Sequence, residues 1–196
     1  LNIVTVNGKA SPLGRYPNTG YLFFESATAN TSITDNQLSN TPNWTGAQVV
    51  IRCNNWSISK GTISNHTNNT ISYSGASQNA TPNFGYFIQR DPKTLDTIGE
   101  WYLNTVNKKI QMYFGAANPG DFIVKSSTLD TLVYCNQKSY ITFLNLSFEG
   151  ANFATFFIAS GQNISVLNCN IDHSGTFGIL GFSNSPNLKI DNNFIN

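Results

Sequence analysis

Two carboxylates occupy matching places in a sequence that repeats. Glu149 and Asp172 are separated by the same interval as Asn145 and Asn168, which lie in two similar segments of the chain, and His173 follows directly. If both acidic side chains point outward from adjacent turns, their carboxyl groups lie about 5 Å apart, as in retaining glycosidases. Repulsion between such neighbours favours a proton on one of them, which could then act as the acid. The pattern predicts a catalytic group of Glu149, Asp172 and His173.

Other interpretations of the same carboxylates stay open. Carboxylate oxygens are hard ligands, so Glu149 and Asp172 could hold Ca²⁺. They could also be two solvated residues at bends, since many acidic residues have no chemical role. The sequence otherwise predicts no metal site and no cofactor.

Further residues are candidates for binding. Arg15 precedes an aromatic residue, so its guanidinium could stack against a sugar, or it could bond carbonyl or carboxylate oxygens to hold its own loop. Lys189 and Asp191 lie on the predicted outward face of the last strand, where they could line a groove or form a surface ion pair. Trp44 and Trp56 could form an aromatic platform for sugar rings or lie in the core.

The elements that must position these residues follow from the repeat. Segments 140–148, 163–171 and 187–195 align with one another at nearly equal offsets along the chain. Within each segment apolar residues fall two apart, so one face of a short strand is apolar. Neighbouring strands lie about 4.8 Å apart, so stacked apolar faces would form a continuous interior. This period and this alternation predict an all-β solenoid.

Asparagines follow the three strands at equivalent positions. Asn145, Asn168 and Asn192 can adopt the left-handed backbone of a tight bend. Their side-chain amides can also hydrogen-bond from one turn to the next. The sequence therefore predicts a structural ladder of these three asparagines along one corner.

Two leucines are predicted on the outer face of the stacked strands. Leu144 and Leu167 alternate with the inward residues and should therefore face outward, one above the other. Exposed apolar patches mark contact surfaces. The remainder of the polypeptide or a covering protein is therefore expected on this face.

The repeat also resembles a known class of protein. The Asn-bearing segments, with Gly175, Gly178 and Ile179 spaced as Gly-x-x-Gly-Ile, resemble the coils of right-handed parallel β-helix proteins of the pectate-lyase-like kind. Many proteins of this class are secreted or lie on the cell surface. The resemblance implies a right-handed parallel β-helix, with glycines where backbones approach closely at bends.

Two N-terminal segments resemble large β-helix proteins related to glycoside hydrolases and polysaccharide lyases. One reads VNGK at 6–9 and RYPN at 15–18; the other reads LDTIGEWYL at 95–103 and KIQMYF at 109–114. The second departs from the family pattern at Ile98, where Pro is usual, and at Asn104, where Asp is usual. It predicts a β-hairpin turning at 104–107, with Trp101 and Tyr113 paired across it. The resemblance implies an accessory β-rich insert over 1–117 and β-helix coils over 118–196.

Composition narrows the function classes. Only 11% of the residues are charged and the net charge is +1, which disfavours nucleic acid as a partner. No apolar run reaches the roughly 18 residues of a membrane span. Three scattered cysteines are too few for a disulfide framework, although Cys53 and Cys135 could form one bridge. Cys169 is predicted to be a buried core residue.

Together these features predict a secreted or cell-surface protein whose partner is a polysaccharide or another surface glycan. Family resemblance favours a glycoside hydrolase or lyase. The lack of a clear acid, base and arginine cluster favours the alternative, a non-catalytic surface, adhesin or structural module. The start at Leu1 without a signal peptide, and an uncapped last strand, predict a piece of a larger β-helix.

Overall fold

Strands make up nearly all the regular structure. The computed structural model describes residues 2–182 and 184–196. Within them the helical segments are two short 3₁₀ turns, Pro92–Thr94 and Pro119–Asp121. The predicted all-β fold is confirmed.

The strands are short, and their labels follow chain order. They are β1 (Val4–Val6), β2 (Lys9–Ala10), β3 (Arg15–Tyr16), β4 (Ser26–Thr28), β5 (Ser32–Thr34), β6 (Gln48–Arg52), β7 (Ile58–Thr67), β8 (Thr70–Ser74), β9 (Tyr86–Gln89), β10 (Trp101–Asn104), β11 (Lys109–Met112), β12 (Val124–Ser126), β13 (Thr131–Asn136), β14 (Ile141–Leu144), β15 (Ser147–Ala151), β16 (Ala154–Ala159), β17 (Ile164–Leu167), β18 (Asn170–Ser174), β19 (Phe177–Gly181), β20 (Lys189–Asp191) and β21 (Phe194–Ile195).

The chain forms two compact units, which we call the C-terminal unit and the middle unit. Residues 2–11 belong with Gly120–Asn196 in the C-terminal unit, and Pro12–Pro119 form the middle unit. The predicted division at 117/118 placed the N-terminal residues in the same unit as the middle of the chain, whereas the structure places residues 2–11 in the C-terminal unit. They belong there because β1 lies between β12 and β2 in an antiparallel sheet, with Thr5 opposite Lys125.

Three parallel sheets carry the repeat of the C-terminal unit. Their strand orders are β13-β16-β19, β14-β17-β20 and β15-β18-β21. Each strand therefore pairs with the strand three further along the chain, and the chain returns to the same sheet once in every repeat. Ile141 pairs with Ile164, and Val166 with Ile190, as the sequence alignment predicts.

Inward residues of these sheets form a dry core. Phe156, Ile158, Val166 and Ile171 are fully buried. Phe156 makes edge-to-face contacts with Phe143, at 5.1 Å between ring centres, and with Phe148, at 4.8 Å. Burial of each large apolar side chain contributes about 1.5–3 kcal/mol, which is why the alternation dictates strand orientation.

The corner asparagines adopt the predicted backbone but not the predicted ladder. Asn145, Asn168 and Asn192 have φ of 57°, 51° and 54°, so each is left-handed. Among the described residues no hydrogen bond joins their side-chain amides. At this corner Asn193 links the turns instead, because its amide bonds the Val166 carbonyl at 2.8 Å and the Cys169 N–H at 2.8 Å.

A side-chain hydrogen bond of the predicted kind occurs at another corner. There Asn187 Nδ2 donates to Asn163 Oδ1 at 2.9 Å. Both residues also have positive φ, 55° at Asn163 and 59° at Asn187. An asparagine pair thus links two turns of the chain, but at the corner before the strand rather than after it.

The middle unit is built on a seven-stranded antiparallel sheet. Its strand order is β3-β9-β6-β7-β8-β5-β4. Trp44, Tyr86, Ile33 and Ile51 are fully buried beneath it, and the Tyr86 hydroxyl donates to the buried Asp35 carboxylate at 2.8 Å. Burial, together with this bond, raises the pKa of Tyr86 far above its ordinary value.

The predicted hairpin of the middle unit is present as β10 and β11. Trp101 lies opposite Met112, so the predicted pairing of Trp101 with Tyr113 is wrong by one residue. Tyr113 lies beyond the last ladder pair, where its N–H donates to the Glu100 carbonyl at 3.0 Å. Glu100 Oε2 accepts hydrogen bonds from the N–H groups of Asp96 and Thr97, both at 2.9 Å. The Glu100 carboxylate thus stabilises the turn that precedes β10.

All three cysteines are buried free thiols, and the predicted burial of Cys169 is confirmed. The optional Cys53–Cys135 bridge is therefore not formed in this structure. Burial raises the pKa of the Cys53 and Cys135 thiols, which keeps them protonated and unreactive. Across residues 2–182 and 184–196, no helix has the length and apolar character that crossing a bilayer requires.

Candidate functional site

The two predicted carboxylates are neighbours on the outer face of one parallel sheet. Glu149 on β15 lies in register with Asp172 on β18. The residues before them, Phe148 and Ile171, point into the core, so the strand alternation turns both carboxylates outward. The predicted alignment of the pair is confirmed.

A lysine extends this pair into a column. Lys125 Nζ lies 2.9 Å from Glu149 Oε2 and 3.3 Å from Oε1. Lys125 precedes Glu149 by one interval of the repeat, although its strand β12 pairs with β1 instead of β15. We call Lys125, Glu149 and Asp172 the polar column. Both partners of the ion pair are exposed, so the pair adds little to folding stability.

Sequence reasoning missed Lys125. The residues around Lys125 lack the apolar alternation of the three aligned segments, so the sequence alignment did not extend back to it. Its spacing from Glu149, which equals that between Asn168 and Asn192, was the one signal that could have found it.

An asparagine engages the second carboxylate. Asn170 Nδ2 donates to Asp172 Oδ2 at 2.6 Å, and the same nitrogen lies 3.5 Å from Ser147 Oγ. Ser147 and Asn170 form the neighbouring outward pair on the same strands. Ser147 and Asn170 thus place further hydrogen-bonding groups beside the polar column on the same sheet face.

His173 lies next to the polar column but does not join it. Its backbone is left-handed, with φ of 57°, and its Nε2 lies 3.2 Å from the Gly8 carbonyl oxygen. A carbonyl only accepts, so Nε2 carries the proton in this contact. The structure therefore brings Glu149 and Asp172 together and directs the His173 ring to Gly8.

Arg15, on β3 of the middle unit, is engaged by its own surroundings. Its Nε donates to the Pro17 carbonyl at 2.9 Å, a second nitrogen donates to the Gly20 carbonyl, and its guanidinium lies 3.8 Å from the centre of the Phe87 ring. Partial burial lowers the pKa of Arg15 from its ordinary value. These contacts match the loop-holding interpretation of Arg15.

The remaining binding candidates differ in exposure. Lys189 and Asp191 on β20 form an exposed ion pair at 3.9 Å, which matches the surface-pair interpretation. Leu144 and Leu167 are in register, Leu144 exposed and Leu167 half-buried, so two apolar side chains are stacked on the outer face. Trp44 is buried whereas Trp56 is 86% exposed, so the two tryptophans form no common platform.

The polar column is a poor cation site. In the described part of the chain, no group of three or more His, Cys, Asp and Glu side chains is placed to hold a metal ion. Ca²⁺ takes about six to eight oxygen ligands, and here the Lys125 ammonium already neutralises Glu149.

Fold and site together define an all-β protein that carries outward polar groups on stacked parallel strands. No protein-family model matches the sequence, and none of the curated proteins matches it either. A solved structure titled "Glycoside hydrolase" is similar, with a TM-score of 0.70 and 13% sequence identity. The match covers 90% of this chain and 43% of that chain, so the chain spans less than half of its neighbour's length. At this identity the likeness shows a shared fold.

Proposed function

We propose that the protein engages polysaccharide outside the cell or at the cell surface, through the polar column. We further propose that residues 118–196 are coils of a right-handed parallel β-helix of the pectate-lyase-like kind, within a larger protein. The observation that carries the proposal is the in-register placement of Glu149 and Asp172 beside Lys125, on the outer face of parallel strands. The fold likeness to a protein titled as a glycoside hydrolase supports it.

A glycan chain lying along the stack would meet these groups one after another. Adjacent parallel strands are about 4.8 Å apart, which sets the spacing of the two carboxylates, and the Lys125 ammonium extends their line beyond Glu149. Sugar hydroxyls donate and accept hydrogen bonds, and charged partners roughly double the strength of such bonds. Asn170 and Ser147 offer further polar contacts beside the line.

Cleavage of the glycan is the catalytic form of this proposal. One carboxyl group would protonate the leaving oxygen, and the other carboxylate would attack the anomeric carbon to form a glycosyl ester. Water would then hydrolyse that ester, with the first group acting as base. Glu149 would have to exchange its contact with Lys125 for the substrate before it could attack.

A non-catalytic surface, adhesin or structural module is the second candidate. One observation favours it: both carboxylates are already engaged as acceptors, Glu149 from Lys125 and Asp172 from Asn170. His173 is directed to the Gly8 carbonyl and supplies neither of them with a proton. Such an arrangement binds hydroxyls without a ready acid.

We also propose that the Leu144 and Leu167 face is covered by another part of a larger polypeptide or by a second protein. The support is the register of the two leucines and the exposure of Leu144. Apolar side chains stacked on an outer sheet face lower the free energy when a partner removes them from water.

The polar column is tested with a double variant and a matched control. Neutral and uronic-acid polysaccharides are screened by affinity electrophoresis and by release of reducing or unsaturated ends. We expect Glu149→Gln/Asp172→Asn to weaken binding about tenfold or more, because it removes both charged acceptors. Lys189→Gln/Asp191→Asn removes a more exposed charged pair from another sheet; because these two residues form a surface ion pair outside the polar column, this variant should bind like wild type.

The possible results separate the candidates. Cleavage by wild type that the Glu149/Asp172 variant loses supports the enzyme, and binding without cleavage supports the non-catalytic module. Binding that is equal in the two variants excludes the polar column as the contact surface. No binding to any polysaccharide in the screen overturns the proposal as a whole.

A further inference from the structure

A small pocket opens beside the Lys125–Glu149 ion pair within the C-terminal unit. Its volume is about 200 Å³, and its walls include Thr5, Ser127, Leu129 and Leu132. Pockets for drug-sized ligands begin at about 300 Å³. This pocket is therefore sized for one small ring rather than for an extended ligand.

Two residues that line it carry hydroxyl groups with no hydrogen-bond partner among the residues that the structure describes. Thr5 is 3% exposed and Ser127 is 8% exposed; their Oγ1 and Oγ atoms are shielded from solvent, and neither is hydrogen-bonded to another of the described residues. Buried polar atoms are nearly always paired, because each unpaired group costs the full penalty of its lost hydration. Two such groups beside one pocket can therefore bond a ligand in it once their side chains rotate.

The pocket wall is fixed in place by a backbone clamp. Asn152 Nδ2 donates to the Ser127 carbonyl at 3.3 Å, while its Oδ1 accepts the Asn2 N–H at 2.9 Å. Asn2 Nδ2 in turn donates to the Asn152 carbonyl at 2.7 Å. A Cβ atom at Gly150 would lie 3.0 Å from Ser127 Oγ, so glycine leaves that hydroxyl its space. The clamp fixes the backbone of the wall, so only side-chain rotation precedes binding and the entropy cost stays low.

The charge and polarity of the walls define the ligand. Lys125 and Glu149 neutralise each other, so the pocket offers no net charge to attract an anion or a cation. Leu129 and Leu132 supply apolar surface, and the serine and threonine hydroxyls can each donate and accept. A small ring with hydroxyls on its edge and C–H groups on its face satisfies all three features.

We propose that this pocket binds a single neutral sugar residue, as one subsite of the glycan surface beside it. Rotation about the Cα–Cβ bonds of Thr5 and Ser127 between staggered positions turns their hydroxyls towards the sugar. The inference rests on the proposed function and narrows it, because it selects neutral sugars over uronic acids.

The test uses two variants that remove only the unpaired oxygens. Methyl glycosides of neutral hexoses and pentoses, and of glucuronate and galacturonate, are titrated into the intact protein and followed by NMR. Thr5→Val and Ser127→Ala should each weaken neutral-sugar binding about fivefold to tenfold, the effect of one lost hydrogen bond. Their melting temperatures should stay equal or rise, because neither removed hydroxyl is bonded within the part of the chain that the structure describes.

Thr155→Val is the matched control in the same unit. Its hydroxyl bonds Ser174 Oγ at 2.7 Å, so this variant should lose about 2–4 °C in melting temperature and keep full sugar binding. A loss of melting temperature in Thr5→Val as large as that of Thr155→Val overturns the inference, since the hydroxyl would then have a partner such as trapped water.

Two further results would contradict the sugar subsite while leaving the proposed polysaccharide binding intact. One is tighter binding of uronates than of neutral sugars. The other is polysaccharide binding that Thr5→Val and Ser127→Ala leave unchanged while Glu149→Gln/Asp172→Asn abolishes it. If no polysaccharide binds at all, the proposed function and the subsite both fail.

Discussion

At the scale of single residues, His66 is the side chain whose protonation most directly affects the fold. The ring is buried in the middle unit, where Nδ1 accepts the Trp44 N–H at 3.1 Å. Nε2 lies 3.1 Å from the Asn68 carbonyl oxygen and therefore carries the proton. Burial lowers the pKa of His66, and the Asn68 contact opposes this with a smaller effect. A second proton on Nδ1 would face an N–H group and break the Trp44 contact.

The lowered pKa of His66 makes the folded protein less stable at acidic pH. The unfolded chain takes up a proton at His66 below its ordinary pKa of about 6.5, while the folded chain does so only at lower pH. The stability contributed by neutral His66 is therefore complete above about pH 6.5 and is lost as the pH falls through the folded pKa. We expect wild type to lose more stability between pH 7 and pH 5 than His66→Gln, measured by urea unfolding. A His66→Gln curve parallel to the wild-type curve over this pH range would contradict the account.

The positions of individual site residues could be predicted from the sequence only in part. Glu149 and Asp172 could be paired in advance because a fixed repeat converts sequence offset into spatial register. His173 could not be placed, because its left-handed backbone turns the ring away from the alternating pattern. The unpaired hydroxyls of Thr5 and Ser127 could not be predicted from the sequence, because whether a side chain finds a hydrogen-bond partner depends on the folded structure.

At the scale of elements, the bends of the parallel sheets depend on close backbone contact. A Cβ atom at Gly161 would lie 2.0 Å from the Lys138 carbonyl oxygen, and one at Gly175 would lie 2.1 Å from the Asn152 carbonyl oxygen. The predicted role of Gly175 is thus confirmed. Gly178 differs, because its added Cβ would meet the Ile195 side chain at 2.6 Å rather than backbone.

Gly161→Ala should therefore destabilise the C-terminal unit. The new methyl group would have to displace a carbonyl that is fixed by the neighbouring turn, at a cost of about 1–3 kcal/mol. Gly181→Ala is the matched control, because among the described residues its Cβ would meet Leu188 Cδ2 alone, at the end of a side chain that can turn away. Denaturant midpoints of both variants check this; equal midpoints would show that the turns can shift apart freely.

At the scale of the whole molecule, the two units differ in how far sequence could predict them. The parallel sheets follow from a period, so one alignment fixes all their registers at once. The seven-stranded sheet has no period, and its order interleaves early and late strands, with β9 between β3 and β6. Such pairing is decided by long-range burial of residues such as Trp44 and Ile51, which local patterns do not encode.

The stack of parallel sheets also predicts a gradient of stability along its length. Ile171 and Ile195 are in register, yet Ile171 is fully buried while Ile195 is 51% exposed, because β21 has a strand on one side only. Ile171→Ala should cost about 2–5 kcal/mol and Ile195→Ala about 1 kcal/mol, measured by urea unfolding. If the two variants lose equal stability, something covers the β21 edge in solution. Light scattering on wild type and Ile195→Lys would then show whether that cover is a second copy of the chain, since the lysine would dissociate it.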